Sequence, residues 1–169
     1  MAEFRINISK LSDGIHEYRF EAEPSKIGLD ERFQSPVTVE VRLDKNLKQI
    51  FLQAEAKVRM TSLCDRCLDE FTTAMDQKYS MLYIQSDRST IDVGKEEELQ
   101  VLTPDMNYID LDEDVRQYVE LAVPWKMLCK EECKGICPLC GGNKNAKPCD
   151  CSEQIGDLRW EELKKLKKN

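Results

Sequence analysis

A single histidine, His16, in 169 residues gives the common catalytic arrangements almost nothing to work with. The chain contains no phosphate-cradling G-x-x-x-x-G-K-[ST], no G-x-S-x-G and no H-E-x-x-H, so these nucleotide-binding, acyl-transfer and zinc-hydrolase signatures are all missing. His16 falls on the apolar parity of its segment and reads as a packed or rim residue. Nowhere does an apolar run approach the roughly 20 residues that a membrane helix requires. The opening MAEFRINISKLSDG lacks the basic-then-apolar order of a secretory signal, which predicts a reducing cytosol where disulfides are disfavoured. A non-enzymatic, cytoplasmic protein without a membrane segment is therefore expected.

What is present begins with period-two alternation. FRINIS sets Phe4, Ile6 and Ile8 on one side, and HEYRFEAE sets His16, Tyr18, Phe20 and Ala22 against Glu17, Arg19, Glu21 and Glu23. Such half-buried strands continue with Val37, Val39, Val41 and Leu43. After a turn at DKN, Ile50, Leu52, Ala54, Ala56, Val58 and Met60 share a face, which predicts an antiparallel hairpin. One or two more strands are expected in FTTAMDQKYSMLYIQ, where Phe71, Thr73, Met75, Tyr79, Met81 and Tyr83 have the same parity.

The reading is α+β. Residues 1–85 form an antiparallel β domain, as a sheet or a partly open barrel, and 86–109 an acidic loop or linker. Residues 110–123 form a helix that packs on the sheet through Leu111, Val115, Tyr118, Val119 and Ala122, opened by an Asp110–Glu113 capping box. Residues 124–169 make a Cys-rich basic tail ending in a helix from about Asp157. Charge divides along the same line. Residues 1–123 hold 25 acids against 15 bases, and 124–169 hold 7 against 10. From Ser86 to Asp114 ten acids face two bases, a segment that repels phosphate and attracts a basic protein, unless it is simply a solvated loop.

The richest feature is sulfur. Eight cysteines fall as C-x2-C (Cys64, Cys67), C-x3-C-x3-C-x2-C (Cys129, Cys133, Cys137, Cys140) and C-x-C (Cys149, Cys151). A C-x-x-C turn aims two sulfurs at one point, and four such ligands satisfy a tetrahedral zinc ion. CPLCGG resembles a zinc-ribbon knuckle. Economy of chain closure favours two structural zinc sites, Cys64/Cys67/Cys129/Cys133 and Cys137/Cys140/Cys149/Cys151. The competing partition pairs Cys64/Cys67 with Cys137/Cys140 and leaves Cys129/Cys133/Cys149/Cys151. A redox role for CDRC is disfavoured by the acids Asp65, Asp69 and Glu70 beside it, which raise a thiol's pKa.

CDRCLDEF, then LAVPWKMLCKEECKGICPLCGGNKNAKPCDC and DLRWEELKKL, closely resemble the YceD family, bacterial and plastid proteins linked to 23S ribosomal RNA accumulation. The resemblance runs from about residue 37 to the end. It departs from the family pattern at Lys144, where an apolar residue is usual, and at Leu158, where proline is frequent. It implies a role in synthesis, processing or stability of large-subunit rRNA, with the eight cysteines as the motif positions. The partner would be a large-subunit ribosomal protein or pre-ribosomal particle held by the acidic segment. Alternatively the tail contacts rRNA directly through Lys126, Lys130, Lys134, Lys144, Lys147 and the terminal lysines, with Trp125 or Trp160 stacking on a base. Core packing is the plainer expectation for both tryptophans. A thiol redox sensor is the alternative of a different class.

Overall fold

The computed structural model describes residues 3–47, 49–85, 99–103 and 105–151. In chain order the elements are β1 (Arg5–Asn7), β2 (Gly14–Ala22), a 3-10 turn (Pro24–Ile27), β3 (Val37–Asn46), β4 (Gln49–Leu63), β5 (Glu70–Gln85), β6 (Leu99–Leu102), β7 (Tyr108–Asp110) and α1 (Asp112–Leu121). The fold is α+β and mostly sheet, with one α-helix among the described residues. Of the two arrangements left open by the sequence, the chain takes an open sheet, ordered β2-β3-β4-β5-β6, beside a two-stranded β1-β7 ribbon.

The alternating residues set this architecture directly. Phe4, Ile6 and Ile8, the odd-numbered run Val37–Leu43, the even-numbered run Ile50–Met60, and Met75, Tyr79, Met81 and Tyr83 are all buried in one cluster. The β3-β4 register pairs Val41 with Ala54 and Leu43 with Leu52, so inward residues meet inward residues across the ladder. Helix α1 covers this face with Val115 and Val119, and Tyr118 stacks on Tyr79 with ring centroids 4.4 Å apart.

Of the one or two strands expected in FTTAMDQKYSMLYIQ the chain forms one, the 16-residue β5. Two other sequence expectations change. Within the stretch expected to be a linker, β6 adds to β5 in parallel and β7 pairs with β1. Each of these short strands buries one residue, Leu102 and Ile109 respectively, too little to register as a period. Residues 86–98 and the C-terminal helix expected from about Asp157 lie outside the described residues. Lastly, the Asp110–Glu113 capping box does not form. Asp110 is already in β7, and Glu113 bonds forward to Arg116 and Gln117. Asp112 instead accepts the N–H groups of Glu3 and Phe4, at 2.9 and 2.7 Å, tying helix to first strand.

One asymmetry of the sheet positions the cysteines. β3 leaves β4 after Lys57, while β4 and β5 stay paired to Leu63 and Glu70. They project as a two-stranded ribbon with Cys64–Cys67 at its tip. The segment 32–35 braces it: Thr61 N–H donates to Arg32 C=O at 2.8 Å and Gln34 N–H to Arg59 C=O at 3.1 Å.

Candidate metal centres

The first C-x-x-C is a tight turn closed by the Leu68 N–H on the Cys64 carbonyl at 2.9 Å. After α1 the chain returns past this tip. Asp65 N–H donates to Met127 C=O at 2.8 Å, and the Asp65 carboxylate accepts the Met127 N–H at 2.7 Å. That seam delivers Cys129 and Cys133. Arg66 fixes the far side of the loop by donating to the carbonyls of Glu131 and Cys133, at 3.1 and 2.9 Å. The sulfurs of Cys64 and Cys133 then lie 3.7 Å apart, as do those of Cys67 and Cys129.

The second C-x-x-C repeats the turn. Gly141 N–H bonds the Cys137 carbonyl at 2.8 Å, and Cys137 N–H bonds Gly142 C=O at 2.8 Å. Cys149 and Cys151 complete a second set, so that within each of the two groups the sulfurs lie within 4.8 Å of one another. These are the two sets that chain closure favours. The first centre is largely enclosed, with Cys64, Cys67 and Cys133 buried, whereas in the second only Cys137 is.

Both sets fit a tetrahedral zinc ion by spacing. Four thiolates about 2.3 Å from a central ion stand roughly 3.8 Å apart, close to the 3.7 Å separations in the enclosed centre. A disulfide would need about 2.05 Å, and all eight cysteines are free. With four sulfur ligands each, such ions would have no open coordination position, the mark of structural sites.

The electrostatics of both sets suit a cation. Burial opposes ionisation of Cys64, yet the N–H groups of Cys129, Cys67 and Arg66 bring its thiol down to about 6. The Cys140 and Leu139 N–H groups hold Cys137 at about 6 in the same way. Their neighbours move the other way. An N–H from Asp69 favours the Cys67 thiolate, but burial and the crowding of Cys64, Cys133 and Cys129 outweigh it and push Cys67 up to about 12. Cys140 and Cys149 push Cys151 up to about 12. Four thiolates so close repel one another unless a cation sits among them. The expectation that nearby acids raise the whole CDRC pair fails at Cys64, because the Cys129, Cys67 and Arg66 N–H groups outweigh burial there; the Asp65 and Asp69 carboxylates accept the Met127 N–H and the Asn143 amide. Full burial of Cys64 still withdraws it from attack on a substrate.

The enclosed centre has supports that the cysteine spacing did not reveal. Asn145 donates its amide to Cys133 Sγ at 3.2 Å and accepts the Lys134 N–H at 2.9 Å. Asn143 anchors Asn145 from below, accepting its N–H at 2.8 Å. Gly135 lies so close to Arg66 that an added Cβ would stand 2.9 Å from the Arg66 carbonyl oxygen, at a φ of +72°. In sequence these are the G-x-C-P-x-C-G-x-N-x-N positions.

Elsewhere, His16 is a half-buried rim residue bonded to the Ser12 carbonyl at 2.9 Å. Trp125 does not pack in the core; it is fully exposed, at 105%. Trp160 lies outside the described residues. No helix among the described residues is long and apolar enough to cross a membrane.

Comparison with known proteins adds the family. Residues 52–167 match the family described as large ribosomal RNA subunit accumulation protein YceD. An Arabidopsis thaliana protein named large ribosomal RNA subunit accumulation protein YCED homolog 1, chloroplastic, is 24% identical, with 96% of this chain and 59% of the relative aligned. The chain therefore spans well under two thirds of that protein. Uncharacterised proteins of Mycobacterium tuberculosis and Mycobacterium bovis are also 24% identical, over 91% of this chain and 72% of their own. No solved structure matches.

Proposed function

The chain belongs to the YceD family, and from that premise we propose that it is a non-enzymatic zinc-binding accessory factor in large ribosomal subunit biogenesis, acting in the synthesis, processing or stability of 23S rRNA. The family match carries this reading, because its description names accumulation of the large ribosomal RNA. In this proposal Cys64, Cys67, Cys129 and Cys133 hold one zinc ion and Cys137, Cys140, Cys149 and Cys151 another. The sulfur spacing and the lowered thiols of Cys64 and Cys137 support it. Both ions are structural: the first clips the tail to the tip of the β4-β5 ribbon, and the second folds the tail on itself.

The factor works in the reducing compartment where ribosomes are assembled, in keeping with eight free thiols. It acts on a pre-ribosomal particle through a large-subunit ribosomal protein rather than on naked RNA, because a net charge of -7 disfavours a phosphate backbone.

The test has two arms. Deleting the protein from its host should lower the ratio of 23S to 16S rRNA, and the wild-type chain should restore it; an unchanged ratio would refute the functional reading. Elemental analysis of the reduced protein should find two zinc ions per chain. Cys64→Ser should lose one and keep the tail ion, whereas loss of both would show that the ligands are divided differently or the centres cannot form singly.

A further inference from the structure

The two C-x-x-C turns are alike in geometry and unlike in one residue. After Cys140 the chain enters the left-handed region at Gly141, with φ 70°; after Cys67 it does so at Leu68, with φ 62°, the one non-glycine residue with positive φ among those described. A leucine is strained there where a glycine is not, and the fold gets little packing in return, since Leu68 is 60% exposed. A strained, exposed apolar side chain points to a contact outside the chain.

Leu68 does not stand alone. Leu63, Trp125, Ile136 and Leu139 are exposed too, in or beside segments bonded to the Cys64–Cys67 turn. Their three loops are joined by backbone bonds, Asp65 to Met127 on one side and Ile136 to Arg66 on the other. Clustered apolar exposure of this kind marks an interaction surface.

Charge identifies the partner, in an argument that rests on the zinc reading above. Residues 64–70 and 124–151 hold six bases and six acids. Eight thiolates around two zinc dications add four negative charges, so the loaded end is net negative despite its lysines. It repels a phosphate backbone and attracts a cationic polypeptide. We propose that the knuckle end is a docking surface for a lysine- and arginine-rich polypeptide segment whose apolar side chains seat on Leu68 and Trp125.

Trp160→Phe leaves Trp125 as the only tryptophan, so its emission reports the surface in the full, zinc-loaded chain. The probes are a short synthetic peptide of lysine, arginine and leucine, the same peptide with serine for leucine, and a single-stranded RNA oligonucleotide. The leucine-bearing peptide should shift Trp125 emission to the blue in a saturable, salt-sensitive way, and the serine peptide should bind more weakly. Leu68→Gly should weaken the peptide by about tenfold or more while raising the melting temperature, a pairing that a purely structural role for Leu68 cannot give. Trp125→Ala, followed by anisotropy of a labelled peptide, should weaken binding with an unchanged melting temperature. Tighter binding of the RNA than of the peptide, or equal peptide binding by wild type and Leu68→Gly, would overturn the proposal. A chain without zinc by elemental analysis would overturn the metal reading; a chain with both ions that ignores the peptide overturns this proposal alone.

Discussion

Single residues decide how firmly a sulfur set is held. Asn145 is the clearest case, because its amide donates to Cys133 Sγ in the enclosed centre while its own loop is closed by the ribbon that carries Cys137 and Cys140. A hydrogen bond to a ligand sulfur lowers the energy of the thiolate, and losing such a support commonly costs about 10- to 100-fold in metal affinity. Asn145→Ala should accordingly speed zinc release from one of the two centres by that factor in a chelator-competition assay, with the far-UV spectrum unchanged. Equal release from both proteins would show that the bond is incidental. Leu68 and Gly141 teach the same lesson in backbone terms. The left-handed position after a C-x-x-C turn costs a leucine roughly 1–2 kcal/mol that a glycine avoids, and nothing in the letters CDRCL announced it.

At the scale of elements, long strands were legible and short ones were not. β3, β4 and β5 place their inward residues at every second position, so solvent and core sort them without ambiguity. β6 and β7 exist because edges of other strands were free to receive them, and a sequence window holds no record of such a vacancy. The helix shows a further limit. Its apolar stripe was correct, with Leu111, Val115 and Val119 buried, yet its cap was misassigned because Asp112 serves a segment more than a hundred residues away. That carboxylate accepts two backbone N–H groups at the start of β1, beside the wholly buried Phe4. Asp112→Ala leaves both donors without their partner and should destabilise the zinc-loaded chain by about 2–3 kcal/mol in thermal or urea unfolding. Asp112→Asn, which keeps one acceptor, should recover part of that loss.

For the whole molecule one sulfur set brings tail to sheet and the other lies within the tail, and this partition was legible because chain closure is a property of spacing alone. The enclosed set brings residues 64 and 67 to residues 129 and 133 across some sixty residues. Its supports, Asp65, Arg66, Asp69, Asn143 and Asn145, were not legible, since side-chain bonds between distant loops leave no period. With zinc clipping the tail to the sheet as proposed, their attachment would depend on pH. In the metal-free chain Cys67 and Cys129 of the first set and Cys149 and Cys151 of the second are raised, the last pushed up to about 12, so these thiols hold their protons near neutrality. Each zinc ion must displace at least about two protons on entering. Proton release favours binding as pH rises, so zinc affinity should climb by at least about a hundredfold per pH unit around pH 7 and fall as steeply on acidification. Calorimetric titration of the metal-free chain in buffers of different ionisation enthalpy counts the protons directly. Release of fewer than two per ion would mean that the raised thiols are not ligands, and the tail would then be held to the sheet by the Asp65, Arg66 and Asn143 bonds alone.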